Sequence, residues 1–397
     1  MNISLLSVGT EILLGDTVNT NLSSLGKILY EDGFLLDSEI TVADDRKSIN
    51  EKFMSLFSNN DVVITCGGIG PTEDDFTKEV ICQALELDLV IDQDHVEWMK
   101  LRWESRGLSM PETNIKQAEI PNGATKLNNT MGTAPGILIE FQNKLVFILP
   151  GPPREFIPLI KDEVIPRLKE KFISSEKDYS FITFFNQPES LLAQSINKFK
   201  PSSLDLAYLA SKGIIKLRYD KNSVTNDELN NFIKNVKSKF SEDILAYENI
   251  SATNVLFNRL NEQKLTISVV ESITGGSFTS ELVKFSGASK VLIAGNTLYT
   301  TKAKEEFLET KISEDWVVLS EELSKKSLEK YGTDIAVTIL GEAGPVPSSN
   351  YAIGEIFISI TSTTNTQNTH HRLRGNREDI LSRSVNNIVW DLINFVK

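Results

Sequence analysis

Short apolar runs alternate along the chain with segments whose apolar residues recur at helical spacing. "ISLLSVG" (3–9) is an apolar run closing on Gly9. In "NTNLSSLGKILYEDG" (19–33), Leu22, Leu25, Ile28 and Leu29 fall on one helical face, and Gly33 marks the C-terminal end. "SEITVADD" (38–45) predicts a second strand, "RKSINEKFMSLFSN" (46–59) a second helix and "DVVITCGG" (61–68) a third strand. "KLVFILPGPPREF" (144–156) is a strand broken by a Pro/Gly turn, and a helix through "FIPLIKDEVIPRLKEKF" (156–172) closes a first domain, 1–168. This alternation predicts an α/β fold with a mostly parallel sheet covered on both faces.

From 169 to 249 the pattern changes to a small α+β module. "YSFITFFN", "LDLAYLAS" and "IIKLRYD" read as strands, and "ESLLAQSINKF" and "DELNNFIKNVKSKF" as helices. A third segment, 250–397, returns to βα alternation. "NVLFNRLNEQ" is a helix, "LTISVVES" a strand and "TGGSFTSELVKF" a glycine-initiated helix. "DIAVTILGEAGP" and "GEIFISIT" are later strands, "NREDILSRSVNNIVWDLINFV" is an amphipathic helix, and His370 and His371 fall in a polar loop.

Composition narrows the function classes. The 397 residues are 40% hydrophobic and 24% charged, as in a globular protein of two or three domains. No apolar run reaches the roughly 18–20 residues of a membrane helix, and "MNISLLSVG" lacks a basic n-region, so the expectation is a cytoplasmic protein without membrane association. Two cysteines exclude a disulfide framework, and three histidines leave carboxylates as the main metal ligands, favouring an ion such as Mg²⁺ or Mn²⁺. A net charge of −13 argues against non-specific nucleic-acid binding.

The densest chemistry lies in "VVITCGGIGPTEDDFT" (62–77). Gly67, Gly68 and Gly70 at a strand end let backbone N–H groups approach an anion. Glu73, Asp74 and Asp75 beside them would repel a bare phosphate, but they suit a cation that bridges to it. The same residues also fit a plain strand-to-helix turn, with Thr72 as N-cap and an acidic first turn. Three more turns add to the pattern: "VGTEILLGDTVNTN" with Gly9, Thr10 and Glu11, "GTAPG" with Gly132 and Thr133, and "LPGPPREF" with Pro150 and Gly151.

Together with "RGLSMPETNIKQAEIPNGATKLNNTMGTAPG" (106–136), these stretches resemble the N-terminal domain of the CinA family (competence/damage-inducible proteins), which is similar to the molybdopterin-binding fold of MoaB and MogA proteins. The resemblance implies an ADP-ribose pyrophosphatase using a divalent ion (Mg²⁺, Mn²⁺ or Co²⁺). Asp75 then falls on the functional aspartate, Asp44 on a second acidic position, and Glu11 is either a further ligand or a structural acceptor. Amides of Gly67, Gly68 and Gly70 would bear developing charge. For 169–249 the family implies a KH-like module. No GXXG occurs there, so the module reads as a spacer or dimerisation element, although Lys212 and Lys216 flank Gly213 and could reach a neighbouring site.

"VVESITGGSFTSELV" (269–283) and "FSGASKVLIAGNTLYTTKAK" (285–304) resemble the nicotinamide mononucleotide deamidase domain of the same family. The resemblance implies Ser289 as nucleophile, Lys304 as its base, Tyr299 ordering the pocket, Thr274, Gly275 and Gly276 on a phosphate at a helix N-terminus, and Arg377 on the same phosphate. Without it, Ser289 reads as a helix cap and Lys304 as a solvated lysine. The sequence departs from the family in "LGEAGP" (340–345), with Leu340 in place of a hydroxyl and Glu342 in place of an apolar residue, and in "GNR" (375–377). The expected ligands are ADP-ribose and nicotinamide mononucleotide, and the expected assembly is a homodimer. A non-catalytic nucleotide-binding scaffold and a molybdopterin-binding protein are the alternatives. Metal-dependent turnover of ADP-ribose separates the enzyme from the first of these.

Overall fold

The computed structural model describes residues 1–173, 178–185, 187–211, 213–347 and 349–396. It divides into two compact units, Met1–Glu176 and Lys177–Lys397. Among the described residues no helix is long and apolar enough to cross a membrane.

The first unit runs β1 (Ile3–Val8), α1 (Thr10–Leu14), α2 (Thr20–Glu31), β2 (Ser38–Val42), α3 (Arg46–Asn59), β3 (Val62–Cys66), α4 (Thr77–Ala84), β4 (Leu89–Ile91), α5 (Gln93–Glu104), β5 (Glu119–Pro121), β6 (Thr125–Leu127), β7 (Gly136–Phe141), β8 (Lys144–Leu149), α6 (Pro153–Leu159) and α7 (Ile165–Lys171). A six-stranded sheet has the order β2-β1-β3-β8-β7-β6. Its first four strands are parallel, and β7 pairs antiparallel with both β8 and β6. Residues of β1 are buried on both faces: Ile3 and Leu5 pack with Leu25 and Phe147, while Leu6 and Val8 pack with Phe53 and Ile81. This two-sided burial is why the strands read as unbroken apolar runs.

The strand directions gather the turns. β1, β3 and β8 end on one edge of the sheet. Because β7 runs the other way, with Ile137 opposite Ile148, its first residues lie at that same edge. The glycine turns after β1, β3 and β8 and before β7 therefore share one rim, where open α/β sheets hold ligands. The N-cap reading of Thr72 does not survive: α4 starts at Thr77, and Thr72 instead bonds the acidic side chains that follow it.

The second unit begins with β9 (Tyr179–Phe185), α8 (Glu189–Ile196), β10 (Leu206–Ser211), β11 (Ile214–Asp220), α9 (Asn226–Phe240) and β12 (Ile244–Ala246). These strands form an antiparallel sheet, β10-β11-β9-β12, whose core includes Phe184, Leu217 and Phe232. Next come α10 (Ala252–Glu262), β13 (Ile267–Glu271), α11 (Ser277–Val283), β14 (Leu292–Thr297), α12 (Thr301–Leu308), α13 (Trp316–Tyr331), β15 (Ile335–Gly341), β16 (Glu355–Ser362), β17 (Thr366–Arg372) and α14 (Arg377–Phe395). Their five-stranded sheet has the order β14-β13-β15-β16-β17. Phe185 stacks on Trp390 at 4.6 Å between centroids, joining the small sheet to α14. His370 and His371 lie in β17 rather than in a loop. That edge strand is polar throughout because half of its residues face water, so no apolar run announces it. Lys212 lies outside the described residues, and Lys216 donates to Asn249 Oδ1 at 2.8 Å.

Candidate functional site

The rim of the first unit encloses a cavity of about 670 Å³. Gly9, Glu11, Asp44, Gly67, Gly68, Gly70, Asp75, Gly132, Thr133, Pro150 and Gly151 all line it, although they are scattered over residues 9–151 of the chain. Asp74 lines it too, and Thr10 and Thr72 hold its acidic residues from behind.

Glycine is required at β3's end. Gly67 has φ +105°, and a Cβ there would stand 2.3 Å from the Val8 carbonyl oxygen. Gly68 has φ +67°, and its Cβ would meet Thr77 Oγ1 at 2.0 Å. Not all the glycine amides point at a ligand, however. Gly67 N–H donates to the Leu149 carbonyl at 3.0 Å, and Gly9 N–H to the Val42 carbonyl at 3.0 Å. Gly132 N–H donates to Asn129 Oδ1 at 3.0 Å. The expectation that Gly67 supports developing charge is thus corrected, since the sheet has taken its donor. Among the described residues the amides of Gly68 and Gly70 have no acceptor, and these two remain for an anion.

Two threonine–aspartate clamps fix the carboxylates. Asp75 Oδ2 accepts from Thr72 N–H at 3.0 Å and Thr72 Oγ1 at 2.6 Å. Asp44 Oδ2 accepts from Thr10 N–H at 2.8 Å and Thr10 Oγ1 at 2.9 Å. In each case Oδ1 has no partner among the described residues. Thr72 also donates to Asp74, whose carboxyl is held below the usual range by that bond. Lys116 Nζ donates to the Asp75 carbonyl and pairs with Glu79 at 3.0 Å, pinning the loop from the other side. Glu11 folds back over Gly9, where an added Cβ would lie 2.6 Å from its Oε1.

Among the described residues no three Asp, Glu, His or Cys side chains converge to form a ready-made cation cage. The donor set nevertheless fits a hard divalent ion of the Mg²⁺ type, which is commonly held by one or two carboxylates together with substrate phosphates and water. Asp44 and Asp75, each with one oxygen clamped and one without a partner among the described residues, are the candidate carboxylates.

Three residues that sequence reasoning missed supply the opposite charge. Arg102 in the last turn of α5 and Arg106 in the turn just beyond it line the cavity, as does Arg154 after β8. Arg102 lies over the Trp98 ring at 5.3 Å, and its buried Nε has no hydrogen-bond partner among the described residues. The i, i+4 spacing in "RWESR" was a signal available in the sequence. Another missed residue is His95, which stacks on Trp98 and whose Nε2 donates to the Thr133 carbonyl at 2.9 Å, anchoring the "GTAPG" turn. Burial lowers the His95 pKa. Buried Glu155 accepts from Asn129 Nδ2 at 2.8 Å and abuts Gly132. Beneath the rim, burial pushes the Cys66 thiol up to about 12, so it is inert rather than reactive.

The second unit treats its expected residues differently. Glu271, fully buried at the end of β13, accepts from Gly276 N–H (3.1 Å), Phe278 N–H (3.1 Å), Thr279 N–H (2.8 Å) and Thr279 Oγ1 (2.6 Å). Gly275 N–H donates to the Ser272 carbonyl at 3.2 Å. The Thr274–Gly276 turn therefore cannot hold phosphate through the amides of Gly275 and Gly276, because a carboxylate of the protein itself already occupies the helix N-terminus. Thr274 keeps a buried hydroxyl with no partner among the described residues.

Lys304 is 8% exposed rather than solvated, and its Nζ donates to the Tyr299 carbonyl at 3.3 Å. Burial lowers its pKa. Arg377 donates to Tyr299 Oη at 2.9 Å and to the Gly344 carbonyl at 2.5 Å, joining α14 to this cluster. Buried Glu342 accepts from Ser349 at 2.9 Å, and Leu340 is packed in an apolar cluster with Val270 and Phe307. Ser289 is not brought to Lys304. It sits exposed in the turn Ala288–Lys290 before β14, whereas Tyr299 and Lys304 follow β14. Six residues of extended strand separate them, about 20 Å.

Fold and site together define a class: a two-unit α/β protein with a glycine-walled, acidic rim pocket in one unit and a buried lysine cluster in the other. The model described as "Probable molybdopterin binding domain" matches residues 4–170, and the CinA C-terminal domain model matches 249–395. A competence-damage inducible protein of Natranaerobius thermophilus is 35% identical over 96% of both chains, and a CinA-like protein of Kosmotoga olearia is 32% identical over 97% of this chain and 96% of its own. A solved CinA structure from Thermoplasma acidophilum is 35% identical, covering 44% of this chain and all of its own, with a TM-score of 0.39. The chain belongs to the CinA family of competence/damage-inducible proteins.

Proposed function

We propose that the chain is a hydrolase of pyridine nucleotides, whose first unit cleaves the diphosphate of ADP-ribose with a divalent cation. The observation that carries this reading is the mixed lining of the cavity. Asp44, Asp75 and Glu11 line it together with Arg102, Arg106 and Arg154, and with Gly68 and Gly70, whose amides have no acceptor among the described residues. A bound Mg²⁺, Mn²⁺ or Co²⁺ would supply charge neutralisation and a water of lowered pKa. Asp44 and Asp75 are the residues that would hold that ion. Gly68 and Gly70 donate to the phosphoryl oxygens that gain charge, and the arginines orient the second phosphate. Water oxygen bonds to one phosphorus, the bridging P–O bond breaks, and AMP and ribose phosphate leave. ³¹P NMR of ADP-ribose tests this: Asp75→Asn is expected to abolish EDTA-sensitive AMP release, and unchanged release sinks the assignment.

The second unit is assigned an amidase activity on nicotinamide mononucleotide, resting on the buried Lys304. In that reading Lys304 would take the Ser289 proton as Oγ bonds to the carboxamide carbon, which requires the two residues, held at opposite ends of β14 in the single chain, to be brought together. The C–N bond breaks, the proton leaves with ammonia, and water then releases the carboxylate. Ammonia release by wild type and its loss in Ser289→Ala are the expected results, and a silent wild type removes the activity.

A further inference from the structure

Between α5 and β5 runs a 3₁₀ helix, Glu112–Ala118, tied to both charged parts of the rim. Ala118 packs with Val96 and Met99 of α5, the helix that carries Arg102. The Ala118 carbonyl accepts from Asp92 N–H at 2.9 Å. Lys78, 3% exposed, donates from Nζ to the Lys116 carbonyl at 2.6 Å. Lys116 Nζ in turn donates to the carbonyls of Thr72 and Asp75 in the acidic loop. The next residue, Gln117, lines the cavity and is 6% exposed. Asn114 Nδ2 donates to Gln117 Oε1 at 3.3 Å, which engages the carbonyl end of the side chain. Its amide end has no acceptor among the described residues, and Gln117 takes no part in the clamps on Asp44 and Asp75. A nearly buried amide donor left open on a cavity wall calls for a ligand or water to complete it.

We infer that Gln117 is a substrate-binding residue of the first unit, whose carboxamide N–H donates to a phosphoryl oxygen of a diphosphate. The inference rests on the diphosphate reading of the cavity above and adds to it a donor without charge. Charge explains the residue type. A lysine or arginine reaching into the cavity beside Asp74 and Asp75 would pair with a carboxylate and compete with a divalent ion. A carboxylate in the same place would repel the phosphate. A neutral amide donates to phosphoryl oxygen and leaves the carboxylates to the cation. The neighbouring ammonium, that of Lys116, is taken up by the backbone carbonyls of Thr72 and Asp75 and by Glu79 at 3.0 Å. Lys116 therefore positions the acidic loop, while Gln117, held in line by Asn114, offers its donor to the ligand.

Two variants of the full chain test it. Gln117→Met keeps the length of the side chain and removes the donor, and Gln117→Glu puts an acceptor in its place. Titration calorimetry measures Mn²⁺ alone and then pyrophosphate in the presence of Mn²⁺. For Gln117→Met, Mn²⁺ binding is expected to stay within about twofold of wild type while pyrophosphate binds about tenfold more weakly. Gln117→Glu is expected to bind pyrophosphate more weakly still. With ADP-ribose, Gln117→Met is expected to raise KM more than it lowers kcat. Unchanged pyrophosphate affinity in Gln117→Met, with the circular dichroism of wild type, overturns the inference. So does a Gln117→Glu chain that binds Mn²⁺ more tightly and pyrophosphate as well as wild type, because the side chain then faces the cavity as a cation ligand. If Gln117→Met does not fold, the Gln117→Glu comparison decides alone. Wild type that binds pyrophosphate but releases no AMP from ADP-ribose ends the hydrolase reading and leaves the calorimetry to decide Gln117. Wild type that binds no pyrophosphate with Mn²⁺ overturns the inference whatever it does to ADP-ribose.

Discussion

Gly67→Ala tests whether the rim is a fixed backbone device or a permissive loop. The substitution adds a Cβ at φ +105°, 2.3 Å from the Val8 carbonyl oxygen. An L-residue in the positive-φ region costs about 1–2 kcal/mol in itself. The second contribution is steric, and the neighbour cannot turn away: it is backbone at the end of β1, whose residues are locked to β3 by parallel pairing. Relief requires prising the strand ends apart by about 1 Å, which overpacked sites register as a further 1–3 kcal/mol. Gly15→Ala is the control, with φ +82° and nothing within 4 Å of the added atom. It carries the conformational cost without the clash, so roughly 1 kcal/mol is expected there. Hydrogen exchange under increasing urea, read on peptides from β1 and β3, measures both in the intact chain. The expected order is Gly67→Ala about 2–4 kcal/mol below wild type and Gly15→Ala near 1. Gly67→Ala is further expected to lose ADP-ribose turnover because Gly68 and the 70–76 loop shift with it. Equal destabilisation by the two variants, with activity retained, refutes the claim that the sheet dictates this turn.

Arg102→Ala and Arg106→Ala are expected to raise KM for ADP-ribose by roughly tenfold each and to flatten its salt dependence, with a smaller change in kcat, as for lost charge-assisted contacts to phosphate. Glu271→Ala strips the acceptor from three amides at the start of α11, so a loss of about 4 kcal/mol in the second unit is expected, read as collapsed exchange protection over 271–283. For Lys304 the sign runs as follows. The unfolded chain binds its proton at the ordinary lysine value of 10.5 and the folded chain only below it, so stability falls as pH drops through that window. Lys304→Met is therefore expected to be inactive as an amidase yet more stable than wild type at neutral pH, in denaturant titrations at pH 7 and 11 that converge at the higher pH.

Much of the architecture was written in local pattern. Leu22, Leu25, Ile28 and Leu29 predict α2, which closes with Gly33 at φ +82°, and "RKSINEKFMSLFSN" gives α3 from end to end. Such segments are legible because burial repeats with the period of the helix or strand. β17 was not legible, because an edge strand facing water has no apolar period to show.

The chain by itself also determined which residue types stand at the strand ends: glycines where φ is positive, aspartates after them, a serine, a tyrosine and a lysine spaced around β14. What each does was decided by tertiary contacts. A backbone amide looks the same in sequence whether it faces a ligand or a strand, and β8 took the donor of Gly67 while Gly68 and Gly70 kept theirs. Glu271 looks like the last residue of a strand until folding buries it against the amides of α11. Arg102 and Arg106 reach the pocket only because α5 packs beside a rim built from residues far from them in sequence. Spacing along the chain sets the distance between Ser289 and Lys304 by contour, and an extended strand makes that distance long. Hydrogen-bond partners and through-space distances are properties of the assembled sheet, and no local pattern encodes them.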